Sequence, residues 1–256
     1  MKVPSLLTCA VAAMALAACN KNKAESGSTA GASDSVTITQ ANPPPGGTWA
    51  DVANATSAGG FVMGNPNAKV KLVEYGSLTC PHCKAFDDEA VPVLIDKYVK
   101  SGQVSWEFRN YVRDPFDLTA SLIARCNGPQ SFFPLMRALY KDQAVWVSKI
   151  QAAPQDQLQA LQNLPPNQEF VQAAKFAGLP DWAAARGVPA TKTNQCLADE
   201  KSINQLVQMT SDATAQYPDF PGTPTFVLNG KMVDLGKVTA EQVWPTLRAK
   251  LDEAMK

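Results

Sequence analysis

The sequence predicts an α/β fold in which strand-containing segments flank a long helical segment. Three observations lead to this prediction. A buried strand pattern, a helical pattern and an alternating strand pattern follow one another between residues 68 and 112. Helical spacing extends from Asp117 to Tyr217, and strand character returns in TPTFVLNGKMVDLG, residues 223–236. In order, the chain reads as a strand, a helix and a strand, a helical block, and then a hairpin and a helix.

The first strand and helix have clear local signals. The stretch AKVKLVEYGS has apolar residues at the positions of a buried strand and breaks at Gly76. Pro81 suits the first turn of the following helix, because the N–H that proline lacks would have no partner there. Pro92 is expected to kink this helix.

The last elements are indicated by a turn and a cap. Asn229 and Gly230 join two apolar runs, and both residues tolerate the positive φ that a tight hairpin turn requires. Thr239 is expected to cap a last helix that ends near Ala254. Between these elements and the first strands, the apolar stretch FFPLMRALY is expected to lie in the core of the helical block.

The composition is that of an ordinary globular chain. The 256 residues are 45% hydrophobic and 18% charged, which is enough to bury a substantial core. The 23 basic and 23 acidic residues balance, and neither sign forms a long block. Composition therefore gives no support for a nucleic-acid partner or for electrostatic binding to a membrane surface.

The N-terminus has the layout of a bacterial export signal. Lys2 is followed by an Ala- and Leu-rich run that ends in small residues and is short for a membrane-spanning helix. The ending LAAC resembles a lipobox, which implies cleavage before Cys19 and lipid attachment to it; the alternative is ordinary cleavage just upstream. Residues 1–18 are therefore predicted to be a signal peptide. The mature protein is expected in the periplasmic part of the bacterial cell envelope, anchored to a membrane by lipid.

Residues 19–60 are predicted to form a low-complexity tether. They are rich in Ser, Thr, Ala, Gly, Pro and Asn, and they lack the apolar spacing of an element that buries one face. Trp49 is expected to pack against the folded part of the chain, because a large aromatic ring gains free energy from burial.

The stretch EYGSLTCPHCKAF carries the candidate chemistry. Cys80 is expected at the N-terminus of the helix that begins with Pro81, where unpaired N–H groups and peptide dipoles favour an anion. His82, the only histidine of the chain, is expected to lower the pKa of Cys80 further. A stabilised thiolate favours the dithiol form, so the disulfide becomes a strong oxidant. Cys80 would form the mixed disulfide with a substrate, and Cys83 would resolve it.

Four features together resemble the DsbA-like thiol-disulfide oxidoreductases of the bacterial cell envelope, which belong to the thioredoxin superfamily. They are the CPHC motif at 80–83, Glu74 six residues before the first cysteine, the helical insertion, and the motif GTPT at 222–225. The resemblance covers the chain from about residue 60 onward and implies a thioredoxin fold with a helical insertion domain. The thioredoxin-like domain would comprise 61–115 and 216–256, and the insertion 116–215.

The resemblance also implies roles for residues around the motif. Glu74 would relay the proton of Cys83, and a cis peptide before Pro224 would place the Thr223 backbone beside the first cysteine to pair with an extended substrate. Substrates would be unfolded exported proteins, and a quinone-linked membrane partner of the DsbB type would reoxidise the site. The protein would act as a monomer without a bound cofactor. From the residues alone, Glu74 can also be an ordinary strand-end carboxylate, Pro224 a hairpin-edge proline, and His82 a solvated loop residue.

Cys126 and Cys196 lie in the helical segment. In an exported protein two such thiols usually form a disulfide, and the alternative is a pair of inert buried thiols. Their separation of 70 residues lacks the spacing of a zinc ribbon, so we expect no metal site that combines them with Cys80 and Cys83.

Three alternatives to an oxidase that donates disulfides stay open. An isomerase or reductase of the same fold is the first, because Thr223 precedes Pro224 where the best-known relatives with CPHC have Val. The N-terminal region is too short for the dimerisation domain of the envelope isomerases, which argues against that class. A lipid-tethered holdase that keeps CPHC as a plain disulfide is the second, and a metal carrier that uses the two thiolates is the third.

Overall fold

The computed structural model describes Pro43 and residues 45–256, which all belong to one compact unit. The predicted signal peptide, the lipidation site Cys19 and most of the predicted tether lie outside the described residues. Within the described part of the chain, no helix combines the length and the apolar composition needed to cross a membrane.

A six-stranded mixed sheet forms the centre of the fold, in the order β1-β2-β4-β3-β5-β6. Strands β3 and β4 are parallel, and every other neighbouring pair in this sheet is antiparallel. The predicted strand-helix-strand unit is therefore confirmed, with α1 connecting the parallel pair. The strands are β1 (Ala53–Ala55), β2 (Phe61–Met63), β3 (Val70–Gly76), β4 (Val104–Asn110), β5 (Thr225–Leu228) and β6 (Lys231–Met232).

Successive residues of β3 face opposite sides of the sheet. Leu72 and Glu74 face the main core, whereas Tyr75 faces a smaller cluster that includes Ala213 and Val227. Because β3 lies between β4 and β5, its backbone is hydrogen-bonded on both edges. A carboxylate on this strand, such as that of Glu74, is consequently buried in the middle of the protein.

The first helix does not continue past Pro92 as one regular element. Helix α1 (Pro81–Glu89) ends before a short helical turn, α2 (Val91–Val93), and a wider π-helical turn follows at Leu94–Val99. Proline has no N–H to donate to the preceding turn, so the hydrogen-bond ladder breaks there. The regular helix is therefore interrupted near Pro92, where a kink was predicted, and the π-helical turn was not expected.

Eight helices fill the chain between β4 and β5, as the helical spacing predicts. Phe132 and Phe133 of α4 pack on aromatic rings of the sheet, including those of Trp106 and Phe108. The stretch FFPLMRALY is therefore core, as expected. The helices are α3 (Pro115–Arg125), α4 (Pro129–Lys141), α5 (Gln143–Gln151), α6 (Gln155–Leu161), α7 (Pro166–Ala177), α8 (Leu179–Ala184), α9 (Ala190–Leu197) and α10 (Glu200–Gln216).

The C-terminal hairpin and helix follow the predicted turn and cap. Asn229 and Gly230 have φ values of 49° and 82°, as a tight turn between β5 and β6 requires. Helix α11 (Ala240–Met255) begins after Thr239, whose backbone N–H donates to the Gln242 side chain at 3.0 Å. Helix α11 packs against α1 and so supports the helix that carries the CPHC motif.

The end of the predicted tether needs correction, because residues 49–60 are part of the folded unit. Trp49–Asp51 form a 3-10 helix, and β1 adds an edge strand next to β2. The Trp49 ring packs on Gly102, where an added Cβ would lie 2.6 Å from the indole nitrogen, so the predicted packing of Trp49 is confirmed. The three small residues Ala-Asn-Ala of β1 are too short a run to indicate a strand, and the strand is held by pairing of its backbone with β2.

Cys126 and Cys196 form the disulfide that was predicted, with their Cα atoms 5.6 Å apart. The bond joins the C-terminal end of α3 to α9, two helices that also pack against each other. It therefore closes a loop that contains most of the helical insertion.

We expect this disulfide to stabilise the fold by about 4 kcal/mol, because it closes a loop of 70 residues in the unfolded chain. In a Cys80→Ser, Cys83→Ser background, reductant should lower the free energy of unfolding by this amount in a urea titration. The same background with Cys126→Ala and Cys196→Ala should not respond to reductant. Equal stability of the first protein with and without reductant would contradict the expectation.

Candidate active site

Cys80 is the N-cap of α1, as the sequence predicts. Its backbone is extended, with φ −82° and ψ 121°, and Pro81 occupies the first helical position. The loop before it closes with a hydrogen bond from Cys80 N–H to the Ser77 carbonyl at 3.1 Å, and the helix starts with a bond from Lys84 N–H to the Cys80 carbonyl at 3.2 Å. This geometry leaves the free N–H groups of the first turn near the Cys80 sulfur.

The hydrogen-bond donors around Cys80 lower the pKa of its thiol from 9.0 to about 5. The largest contribution comes from the Cys83 thiol, which donates to the Cys80 thiolate. Burial acts in the opposite direction, because it disfavours the charged form. The Thr223 hydroxyl and the backbone N–H groups of Cys83 and His82 add further donors, which together outweigh burial.

Thr223 contacts Cys80 through two groups with opposite effects. Its carbonyl oxygen accepts a hydrogen bond from Cys80 Sγ at 3.2 Å, which stabilises the protonated thiol. Its hydroxyl group donates to the thiolate, which stabilises the charged form. The Thr223–Pro224 peptide bond is cis, as the resemblance implied, and the Thr223 backbone lies beside the first cysteine.

His82 lies at the site, but its side chain is exposed to solvent. Its contribution to the lowered pKa of Cys80 comes from the backbone N–H. The imidazole forms part of the wall of a groove next to the site. A catalytic role of the imidazole itself stays a prediction.

Cys83 is fully buried one turn into α1, and its thiol is free like that of Cys80. Burial raises the pKa of Cys83 well above 9.0, and the hydrogen bond to Cys80 and the charges of Cys80 and Glu74 act in the same direction. At neutral pH the pair therefore consists of one thiolate and one thiol. The two cysteines have different roles because their surroundings stabilise opposite protonation states.

Glu74 lies beneath the cysteine pair, with 1% of its surface exposed. Burial raises its pKa well above 4.5, and the charges of Asp87 and Cys80 raise it further, while a hydrogen bond from Trp106 lowers it. The Trp106 indole nitrogen donates to the carboxylate at 3.0 Å. A buried carboxyl group with a raised pKa near the resolving cysteine has the chemistry that a proton relay needs, and the relay itself stays a prediction.

Asp87 adds a second carboxyl group that the sequence analysis missed. It follows Cys83 by one helical turn on α1, and Arg137 of α4 donates to it with Nε 3.3 Å from Oδ1. Burial raises the pKa of Asp87 to about 6, and the Arg137 charge lowers it. The position four residues after Cys83 is a signal in the sequence, but the arginine partner lies 50 residues away and is visible only in the fold.

The loop before Cys80 is bound by side chains of the helical insertion, which the sequence analysis also missed. Asp117 of α3 accepts hydrogen bonds from Ser77 and from the Leu78 N–H. Tyr140 of α4 donates to the Ser77 carbonyl, and Gln143 of α5 donates to two further loop carbonyls. No spacing in the sequence connects these residues with the CPHC motif.

A groove with a volume of about 530 Å³ runs beside the CPHC motif. His82, Thr223 and Pro224 form one wall. The other side consists mainly of apolar residues of the C-terminal hairpin and helix, namely Met232, Val233, Leu235, Val238 and Val243. An extended chain with apolar side chains fits a groove of this composition.

A family model described as thioredoxin matches residues 56–249, and the chain belongs to this family. A curated relative from Rickettsia bellii, provisionally named a protein-disulfide oxidoreductase, is 30% identical over 171 residues, which are 66% of this chain and 57% of the relative. A relative of the same name from Rickettsia felis is 28% identical over 195 residues, which are 75% of this chain and 60% of the relative. The chain thus spans less than two thirds of the length of these relatives.

Solved structures agree with the predicted thioredoxin fold and helical insertion. A protein-disulfide isomerase from Novosphingobium aromaticivorans is 33% identical, with a TM-score of 0.70, and covers 79% of this chain and 99% of its own. Two structures at lower identity show the fold alone. One is alpha-DsbA1 of Wolbachia pipientis, with 21% identity and a TM-score of 0.58; the match covers 78% of this chain and 93% of the other. The second is BdbD of Bacillus subtilis, with 19% identity and a TM-score of 0.53; the match covers 80% of this chain and 98% of the other.

The reduced protein should show one thiolate that titrates near pH 5, which is Cys80. The ultraviolet absorbance of the thiolate as a function of pH measures this directly. Cys80→Ser should abolish the transition, because the pKa of Cys83 lies well above 9.0. A wild-type midpoint above pH 8 would show that the surroundings do not stabilise the anion.

Thr223→Val should raise the pKa of Cys80 by about one unit, because one hydrogen bond to a charged group is worth about 1.5 kcal/mol. Valine keeps the shape of the side chain and removes only the hydroxyl donor. Thr214→Val, at an exposed position of α10, is the matched control. The same absorbance titration reports the shift, and equal midpoints for both variants would rule out a role of the hydroxyl group.

Proposed function

We propose that this protein is a thiol-disulfide oxidoreductase of the bacterial cell envelope that donates disulfides to exported proteins through Cys80 and Cys83. The observation that carries the proposal is the set of donors that lowers the pKa of Cys80 to about 5 while Cys83 stays protonated. Family membership and the names of the curated relatives support the same class of reaction.

The reaction starts from the oxidised pair. A client thiolate attacks Sγ of Cys80, the Cys80–Cys83 bond breaks, and Cys83 leaves as a thiolate that takes a proton, with Glu74 as the nearby carboxyl group. The second client thiolate then attacks the client sulfur of the mixed disulfide, and Cys80 leaves as a thiolate. Two electrons pass from the client to the cysteine pair. One of the two client protons stays on Cys83, and the other goes to solvent.

The lowered pKa of Cys80 gives this reaction its direction. At pH 7, a shift from 9.0 to about 5 stabilises the reduced form by about 3 kcal/mol, which is about 60 mV of reduction potential for two electrons. This contribution is complete above pH 9 and disappears as the pH falls through 5. The disulfide is therefore the less stable form at neutral pH, and it passes readily to a client.

The groove beside the motif is proposed to hold the client. The Thr223 backbone lies next to Cys80 and would pair with an extended segment, while the apolar wall would contact its side chains. Unfolded exported proteins present both a free thiol and an extended apolar chain. A monomer is sufficient for this reaction, since both cysteines and the groove belong to one chain.

The location and the remaining partners rest on the N-terminal sequence and the family resemblance. The LAAC ending at Cys19 supports lipid attachment and an envelope location. A quinone-linked membrane protein of the DsbB type is proposed to reoxidise Cys80 and Cys83, because each turnover leaves the pair reduced. Metabolic labelling with a radioactive fatty acid, compared between the wild type and Cys19→Ala, tests the anchor.

Isomerisation of wrong disulfides is the second candidate function. It is favoured by the Novosphingobium structure, which bears the name of an isomerase, and by Thr223, because threonine before this proline also occurs in isomerase and reductase relatives. An isomerase acts in its reduced form on a client that already has disulfides. A client with scrambled disulfides therefore distinguishes the two functions, because only an isomerase restores it when added reduced.

We expect the CPHC pair to have a reduction potential more oxidising than about −180 mV, as measured by equilibrium with glutathione. The oxidised protein should also form the disulfide of a dithiol peptide, and Cys80→Ser should abolish this activity. Cys126→Ala with Cys196→Ala is the control that keeps the CPHC pair.

Three other results would each indicate a different function. A potential near −270 mV would indicate a reductase. An unaffected Cys80→Ser variant would indicate a holdase, and stoichiometric metal in the reduced protein would indicate a carrier.

A further inference from the structure

Side chains from two helices of the insertion bind the backbone of one residue, Leu78, in the loop that precedes Cys80. Leu78 is fully buried, its N–H donates to Asp117 of α3 at 2.8 Å, and its carbonyl accepts from Gln143 of α5 at 2.7 Å. Both polar groups of this residue therefore have side-chain partners outside the sheet and outside α1. A buried backbone group needs such a partner, because an unpaired one costs free energy.

Gln143 makes a second contact that reaches the nucleophile. Its amide nitrogen, Nε2, also donates to the carbonyl oxygen of Cys80 at 3.1 Å. The same carbonyl accepts the first helical hydrogen bond from Lys84 at 3.2 Å. One amide group thus holds the carbonyls of Leu78 and Cys80, and with 6% of Gln143 exposed its side chain has little freedom to leave them.

The orientation of these carbonyls matters for the charge on the Cys80 sulfur. A carbonyl oxygen carries a partial negative charge, and near the sulfur it would disfavour the thiolate. Both oxygens accept a hydrogen bond from Gln143 of the insertion, and the Cys80 oxygen also accepts one from Lys84 N–H within α1. The N–H groups of His82 and Cys83, at the start of α1, lower the pKa of Cys80.

Two further bonds fix the same loop. The Ser77 hydroxyl donates to Asp117 at 2.6 Å, and Tyr140 of α4 donates to the Ser77 carbonyl at 3.2 Å. Asp117 also accepts from the Arg113 N–H at 3.0 Å, which ties the end of β4 to the same carboxylate. Helices α3, α4 and α5 therefore each supply one side chain to a loop of four residues.

We propose that Gln143 is a positioning residue through which the helical insertion sets the reactivity of Cys80. It ties the carbonyls of Leu78 and Cys80 to α5, while Asp117 of α3 binds the Leu78 N–H. The inference rests on the proposed function in one respect, namely that Cys80 and Cys83 are the redox centre. It adds that the strength of the oxidant is set partly by the insertion and not by the CPHC sequence alone.

The test compares Gln143→Met with Gln151→Met. Methionine has nearly the size of glutamine and lacks both N–H donors, and Gln151 is an exposed residue at the end of the same helix. We expect Gln143→Met to raise the titration midpoint of the Cys80 thiolate by about one pH unit. The equilibrium with glutathione should move tenfold toward the disulfide, which makes the potential about 30 mV more reducing. Gln151→Met should match the wild type in both measurements.

Neither substitution alters a titratable group, so a shift of the midpoint reports the loss of the Gln143 amide and not a change in nearby charge. The titratable groups near the cysteine pair include Glu74 from β3, His82 from α1 and Tyr140 from α4. Asp87 of α1 acts on Glu74 and is bound by Arg137 of α4, and Asp117 of α3 binds the loop before Cys80. Gln143→Asn is the second variant, for use if Gln143→Met does not fold, because it keeps the amide but shortens its reach.

The outcomes separate this inference from the proposed function. If the wild-type Cys80 titrates only above pH 8, the proposed function fails. If the wild type titrates near pH 5 and both Gln143 variants do the same, the proposed function stands and the positioning role is wrong. A Gln143 variant that unfolds at a lower temperature but keeps the wild-type midpoint and potential would show a structural role only, and this result would also overturn the inference.

Discussion

The hydrogen bonds to the Cys80 sulfur are the interaction on which the rest of the site depends. The sulfur is buried, so its charge has little help from solvent and is stabilised by fixed donors, namely the Cys83 thiol, the Thr223 hydroxyl and two backbone N–H groups. Donors of this kind work only when they are held in place before the reaction begins, because reorganising them would cost the free energy that they supply. The parallel strands, the start of α1 and the cis-proline loop can all be understood as means of holding them.

Both parts of the fold contribute to the surroundings of this sulfur. The thioredoxin-like part supplies the helix N-terminus, Glu74 and Thr223, and the helical insertion supplies the side chains that bind the loop from Ser77 to Cys80. The disulfide between Cys126 and Cys196 lies in the insertion and joins α3, which carries Asp117, to α9.

Local patterns predicted much of the fold and part of the site. Strand β3, the start of α1 at Pro81, the Asn229–Gly230 turn and the Thr239 cap each follow from neighbouring residues, and each is confirmed. The strand β1 was missed because three small residues acquire a strand conformation only through pairing with β2. Asp87, Asp117 and Gln143 were missed because their partners are separated from them in sequence by 39 to 65 residues.

By itself, the sequence determined that two cysteines sit at the start of a helix, because the spacing CPHC and the proline at the first helical position are local features. It also determined the order in which strands and helices follow one another along the chain, since apolar periodicity is a property of short segments. Only the tertiary structure decided which groups face each sulfur. It buried Cys83 and Glu74, brought Thr223 to Cys80 across 143 residues, and placed the backbone N–H of His82 where it lowers the pKa of Cys80. The physical reason is that a pKa depends on burial and on the direction of nearby dipoles, and both are set by the packing of segments that are distant in the chain.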